Sequence, residues 1–229
     1  MSATAVLYSF LSGLLPSLIW LWFWLREDRL RPEPRPLLVF AFFGGMVSVA
    51  LAIIAERWIA SIYTDPTIQY TLWAFVEEIA KFVVVAIVAL RASANDEPID
   101  AMIYCIVAAI GFAALENAFF IMDPLSNGEV ARAIVSGNMR FIGATLLHIV
   151  SSAAVGFTLG YVFYKGRIAK IIAALVGLAI AGFVHAAFNL SIINADSMDT
   201  LRTFAWVWGA VVILIVLFEE VKLVRPKLW

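Results

Sequence analysis

The chain has 229 residues, of which 63% are hydrophobic and only 14% charged, against about 45–50% and about 25% in an ordinary soluble domain. Together with a mean hydropathy of +0.95, that composition excludes a soluble globular protein and places most of the chain in lipid. The net charge of −1 offers phosphates no basic surface, so nucleic-acid binding has no support, and the single cysteine, Cys105, excludes an internal disulfide.

Uninterrupted apolar runs predict about seven transmembrane spans, at residues 6–25, 37–60, 67–90, 99–122, 141–164, 171–193 and 201–222. Each must be helical, because backbone N–H and C=O groups in hydrocarbon have no water to bond and the runs lack the alternating polar residues of a barrel strand. The expected fold is all-α, a polytopic helical bundle forming one unit over residues 1–229, with any activity carried inside the bundle. The first run has no basic segment before it and no small-residue cleavage site after it, so it reads as a retained helix. Arg26 to Pro36, with Pro32 and Pro34, reads as a stiff extended connector. The stretch 124–139 has room to be a loop, a surface helix or part of the fifth span.

Eleven basic residues, Lys165, Arg167, Lys170 and Lys227 among them, fall on one set of helix ends, and four, Arg57, Arg132, Arg140 and Arg202, on the other. Short cytoplasmic loops retain basic residues, so this bias predicts the N-terminus outside and the C-terminus in the cytoplasm. Trp20, Trp22, Trp24 and Trp229 near one interface fit an aromatic belt. Glu56 and Arg57 read as a snorkelling pair at the outer end of the second span. Gly44-Gly45 and the segment from Gly156 to Gly160 read as points of close helix packing.

Ionisable groups inside spans cost roughly 2.5 to 3.5 kcal/mol each on insertion scales, so each needs a partner or a purpose. The third span carries Glu77, Glu78 and Lys81, the fourth Glu116 and Asn117, the fifth His148, and the sixth His185 and Asn189. Spacings of three and four put Lys81 beneath both carboxylates on one helix face, where it can neutralise one of them. Two anions that close cannot both stay ionised in a low dielectric, which suits the second to general acid or base work. His185 and Asn189 project from one face, one turn apart. Counted from the outer helix ends at 1.5 Å per residue, Glu77, Glu116, His148 and His185 lie roughly 9 to 15 Å deep, at one level.

In the order Glu77-Glu78-Ile79-Ala80-Lys81, Phe112-Ala113-Ala114-Leu115-Glu116-Asn117, His148 and His185-x-x-x-Asn189, the sequence resembles the PrsW family of membrane proteases, relatives of the CAAX prenyl proteases and bacteriocin-processing proteins. It differs from the CAAX enzymes in carrying Glu116 where they have a histidine, and Lys81 where they have an arginine one residue later. The resemblance implies an intramembrane endopeptidase in the plasma membrane of a bacterium or archaeon. Its partners would be the lipid bilayer and a membrane-anchored protein substrate, for example an anti-sigma factor. Two mechanisms stay open at this point. In the metal-free one, Glu77 helped by His148 deprotonates water, Asn189 and His185 stabilise the oxyanion, and Glu78 with Lys81 holds the site in register. In the other, His148, His185 and Glu116 form a two-His, one-carboxylate zinc site, with Glu77 as general base. A non-catalytic membrane scaffold of the same fold and a proton-coupled transporter are the alternatives from other classes.

Overall fold

The structure, a computed structural model, describes residues 2–29, 31–193 and 197–226, so Lys227 and Trp229 lie outside the described residues. In chain order the helices are α1 (Ala3–Trp24), α2 (Arg35–Ile62), α3 (Pro66–Val88), α4 (Asp100–Ser126), α5 (Val130–Met139), α6 (Thr145–Tyr161), α7 (Arg167–Ile193) and α8 (Ser197–Lys222). A wide π-helical turn, Arg140–Ala144, joins α5 to α6. Several starts are written in the sequence. The Ser2 hydroxyl accepts the Ala5 N–H at 3.1 Å, and the Asp65 carboxylate accepts the N–H groups of Thr67 and Ile68 at 2.7 and 3.2 Å. Pro66 then opens α3, where a missing N–H costs nothing.

Among the described residues, six helical segments are long and apolar enough to cross a membrane, and α3 has the length but carries Glu77, Glu78 and Lys81 in its middle. The stretch 124–139 is almost entirely helical. α4 continues to Ser126, and the chain turns at Gly128, whose φ of 77° is a left-handed conformation that favours glycine. α5 then runs through the π turn into α6, making Val130–Tyr161 one 32-residue segment.

α4 is the axis of the bundle. Every residue from Asp100 to Ala114 is buried, as expected of a helix that is apolar or small on all sides. It packs against α1, α2 and α6, while α3 lies between α2 and α7, and α6 is flanked by α7 and α8. The α2–α4 crossing is close because of a reciprocal pair of glycines. A Cβ on Gly45 would strike the Ala108 carbonyl, and one on Gly111 would strike the Phe42 carbonyl. Gly156 is in the same position against Met102, as the sequence suggested.

Two expectations are corrected. Of the three tryptophans near the end of α1, only Trp22 stands at the exterior. Trp24 is buried and stacks on Phe218 at 5.5 Å, and Trp20 Nε1 donates to the Phe141 carbonyl in the π turn at 3.1 Å. Positions 20 and 24 share one helix face and 22 lies on the opposite one. The connector after α1 is likewise not a plain extended spacer. Leu25 to Asp28 form a turn, Asp28 accepts the Glu33 N–H at 3.2 Å, the Tyr104 hydroxyl donates to Glu33, and Arg31 pairs with Glu97 at 2.7 Å. Burial, reinforced by nearby Asp100, pushes the Asp28 carboxyl up to about 7 and the Glu33 carboxyl up to about 9.

These contacts make two predictions. Gly111→Val places a methyl group against backbone that cannot yield, and should cost the detergent-solubilised protein at least the roughly 1 to 3 kcal/mol typical of overpacking. Gly166→Ala, which meets open space, should leave thermal unfolding unchanged. Second, carboxyl groups raised on folding favour the protonated folded state. Their contribution is complete below about pH 4 and is lost as pH rises, for Asp28 through about 7 and for Glu33 through about 9. Melting temperature should therefore fall between pH 6 and 9.5, and Glu33→Gln should flatten the upper part of that fall.

Candidate active site

Four helices bring the polar residues of the interior to one place. α3 supplies Glu77, Glu78 and Lys81, α4 supplies Glu116 and Asn117, α6 supplies His148, and α7 supplies His185. Glu77, Glu78, Lys81, Asn117, His148 and His185 are all buried. They adjoin a cavity of about 410 Å³ whose wall includes Glu77, Glu116, His148, His185 and Asn189, with Tyr70, Trp73, Phe119 and Phe120 among its aromatic residues.

Glu78 is completely satisfied. Its Oε1 accepts from Lys81 Nζ at 2.6 Å and from His185 Nδ1 at 2.8 Å, and its Oε2 accepts from Ser152 Oγ at 2.6 Å. Lys81 also reaches His148 Nδ1 at 2.8 Å and lies 4.5 Å from the centre of the Phe112 ring. An ammonium can only donate, so His148 accepts at Nδ1 and carries its proton on Nε2, which donates to Glu116 Oε2 at 2.9 Å. By the same reasoning His185 donates from Nδ1 to Glu78, leaving the Nε2 lone pair turned toward Glu77. The two imidazoles meet edge to face with centroids 4.9 Å apart.

Glu116 is held by an ion pair to Arg140, whose Nε donates to Asn117 Oδ1 at 2.6 Å, and Asn117 Nδ2 donates to Thr145 Oγ1 at 2.9 Å. The Glu-Asn motif thus fastens α4 to the π turn and the start of α6. The Arg140 guanidinium stacks over Phe120 at 3.8 Å. π turns of this kind recur at functional sites, and here the turn carries Arg140 beside the cavity.

Glu77 is the exception. Its Oε2 is buried without a hydrogen-bond partner, 3.7 Å from His185 Nε2 and 3.9 Å from His148 Nδ1. One ligand atom each from Glu77, His148 and His185 lie within 4.8 Å of one another. In a tetrahedral site with bonds of about 2.0 to 2.2 Å, ligand atoms are roughly 3.4 Å apart, so to hold a divalent cation these groups would draw together and Lys81 Nζ would leave His148 Nδ1. The donor types fit as well. The far nitrogen of each imidazole is backed by a carboxylate, Glu116 for His148 and Glu78 for His185, the arrangement that orients metal-binding histidines. The carboxylate that faces both rings is Glu77. Glu116, expected in the sequence-based zinc set, is instead engaged with Arg140 and the far side of His148.

Of the sequence-predicted residues, Glu77, Glu78, Lys81, Glu116, His148 and His185 lie within 4 Å of one another in a chain of contacts, Asn117 joins them through Arg140, and Asn189 lines the same cavity one turn beyond His185. Three residues of the site escape sequence reasoning. Arg140 reads there only as a loop charge, Ser152 carries no signal beyond lying one turn after His148, and Glu56 reads as a surface residue but lines the cavity. Removing partners of the buried anion separates their roles. Lys81→Met leaves Glu78 without its cation and should destabilise the protein by about 3 to 5 kcal/mol. Ser152→Ala removes one hydrogen bond to a charged group and should cost about 1.5 to 3 kcal/mol. Unfolding curves in mixed detergent would rank the two.

Residues 33–218 match the family described as PrsW family intramembrane metalloprotease. A protein named Protease PrsW from Geobacillus kaustophilus (strain HTA426) is 26% identical over 161 residues, covering 69% of this chain and 66% of that protein. Another named Protease PrsW, from Clostridioides difficile (strain 630), is 25% identical over 169 residues, covering 69% and 67%. The chain thus spans about two-thirds of the length of these curated relatives. No solved structure matches it.

Proposed function

Since the chain belongs to the PrsW family of intramembrane metalloproteases, we propose that it is a membrane-embedded endopeptidase that hydrolyses a peptide bond in a membrane-anchored protein, with Glu77 as the group that activates water. The observation that carries this reading is the unpartnered Glu77 oxygen, facing two imidazoles at the edge of a cavity. A carboxylate so placed can take a proton from water and return it to the departing amine. His148 and His185 enclose the position where that water would stand. Glu78, Lys81 and Ser152 fix the His185 ring, and Glu116 with Arg140 fixes the His148 ring. Asn189, on the cavity wall, is the proposed donor to the oxyanion.

His148, His185 and Glu77 would hold a divalent cation such as zinc, which when bound polarises a carbonyl and acidifies water. A carboxylate has two oxygens, so Glu77 can lend one to such a cation and keep the other for a proton. His148 would hold such a cation through the Nδ1 lone pair that accepts from Lys81 here, and Lys81 would keep Glu78 as its partner. The aromatic and aliphatic walls of the cavity suit an apolar, unwound segment of a single-span substrate better than a soluble peptide. With the N-terminus outside, as the basic residues favour, the site opens toward the extracytoplasmic half of the bilayer. An anti-sigma factor is one substrate of that form.

In proteoliposomes holding a single-span substrate, the wild type should cleave, and Glu77→Gln, His148→Ala and His185→Ala should each lose at least about two orders of magnitude, the lower range for acid–base groups. Metal analysis of the same samples tests the cation. The two histidine variants should lose it, and equal metal content in His185→Ala and wild type would reject that ligand set. Flux of protons without cleavage would favour a transporter.

A further inference from the structure

A second cavity, of about 580 Å³, lies at the other end of α3 and α7 from the Glu77 site. Its volume is within the range of about 300 to 1,000 Å³ common for small-ligand pockets, and two features give it chemical character. Phe82, Leu159, Ile171, Leu175 and Leu178 form an apolar trough, and Ile171 and Leu175 are exposed on the outer face of α7, so the trough opens sideways to the bilayer. At its mouth three cations fall within six residues, Lys165, Arg167 and Lys170, and none pairs with a carboxylate among the described residues. Lys170 rests over Phe163 at 4.9 Å, at the rim of the trough.

One further polar group points to the headgroup. Asn95, in the α3–α4 connector, also lines this cavity; its Nδ2 donates to the Leu90 carbonyl at 3.3 Å, while its Oδ1 is buried without a partner. An acceptor left without a donor beside a cluster of cations calls for a ligand that is both anionic and an O–H donor. We propose that this cavity is a binding site for an anionic glycerophospholipid with a hydroxylated headgroup, of the phosphatidylglycerol class. The phosphate is met by Lys165, Arg167 and Lys170, a headgroup hydroxyl donates to Asn95 Oδ1, and one acyl chain lies in the trough. A free phosphate would leave the trough unfilled, and a neutral lipid would leave the three cations unmatched. Basic pockets between helices at a membrane surface are a recognised setting for anionic headgroups. Such a lipid bridges α3 and α7, which carry Glu77, Glu78 and His185, without touching the candidate active site.

Native mass spectrometry of the full chain, released from micelles doped with equal amounts of phosphatidylglycerol and phosphatidylcholine, tests the site. Wild type should retain phosphatidylglycerol at least tenfold over phosphatidylcholine, and the lipid should raise its melting temperature. Lys165→Gln/Arg167→Gln/Lys170→Gln should lose both effects. Ala174→Trp, which fills the trough and leaves every charge in place, should lose retention too. Asn95→Ala should equalise phosphatidylglycerol with phosphatidic acid, which lacks the headgroup hydroxyl, and inorganic phosphate at ~10 mM should not displace the lipid. Equal retention of the two doped lipids by wild type, displacement by phosphate alone, or a second copy of the chain retained in place of lipid would each overturn the proposal.

Discussion

The interior of this protein is governed by the balance of buried charge. Three carboxylates, Glu77, Glu78 and Glu116, are met by two basic side chains, Lys81 and Arg140, and by two imidazoles whose protons are set by their neighbours. Lys81 answers Glu78 and Arg140 answers Glu116, which leaves Glu77 without a cation. A lone carboxylate in a low dielectric is costly, and the rest of the network keeps it in place. The arrangement concentrates unmet demand for a proton or a cation on one oxygen between two histidines, the condition a hydrolytic site requires.

That concentration depends on α4. Its small residues let α1 and α2 approach closely and allow α6 to lie along its other side, so Glu116 reaches His148 across a single helix contact. The π turn has a related role. An extra residue in one turn rotates the rest of the helix, so Arg140 can reach back to Glu116 and Asn117 while His148, two turns on, still faces inward. Carbonyls displaced by such a turn need new donors, and Trp20 supplies one to Phe141. A tryptophan that composition alone places in an interfacial belt thus becomes a support for the turn beside the site.

Much of the site was legible because charge in lipid is rare enough to stand out. Glu77, Glu78, Lys81, Glu116, His148 and His185 declare themselves by residue type and depth, and the structure brings them together. What could not be read is which partner each would choose. Whether Glu77 or Glu116 faces the imidazoles depends on Arg140, and Arg140 looks like a loop charge until the segment before the fifth span proves to be a helix. Ser152 escapes notice because serine is ordinary in a membrane helix, where its hydroxyl can return to its own backbone. Asp28 and Glu33 are hidden by the prolines and arginines around them, a composition that suggests a solvated strap and says nothing of the Tyr104 hydroxyl waiting at the start of α4.

α3 shows why averaged apolarity is a poor guide in such a protein. Its three charges sit near its middle, so no stretch of spanning length avoids them, yet the residues it turns outward there, Ile79, Val83 and Ile87, repeat every four positions and are all apolar. The charges at 77, 78 and 81 lie on the other side, covered by α2, α7 and α4. Lipid therefore meets a hydrocarbon stripe, and the penalty for ionisable groups falls only on the protein interior, where partners meet it. A helix of this kind can cross the bilayer only inside its bundle. The same constraint that makes α3 dependent on its neighbours holds its carboxylates against the histidines of α6 and α7, so folding of the bundle and assembly of the site are one event.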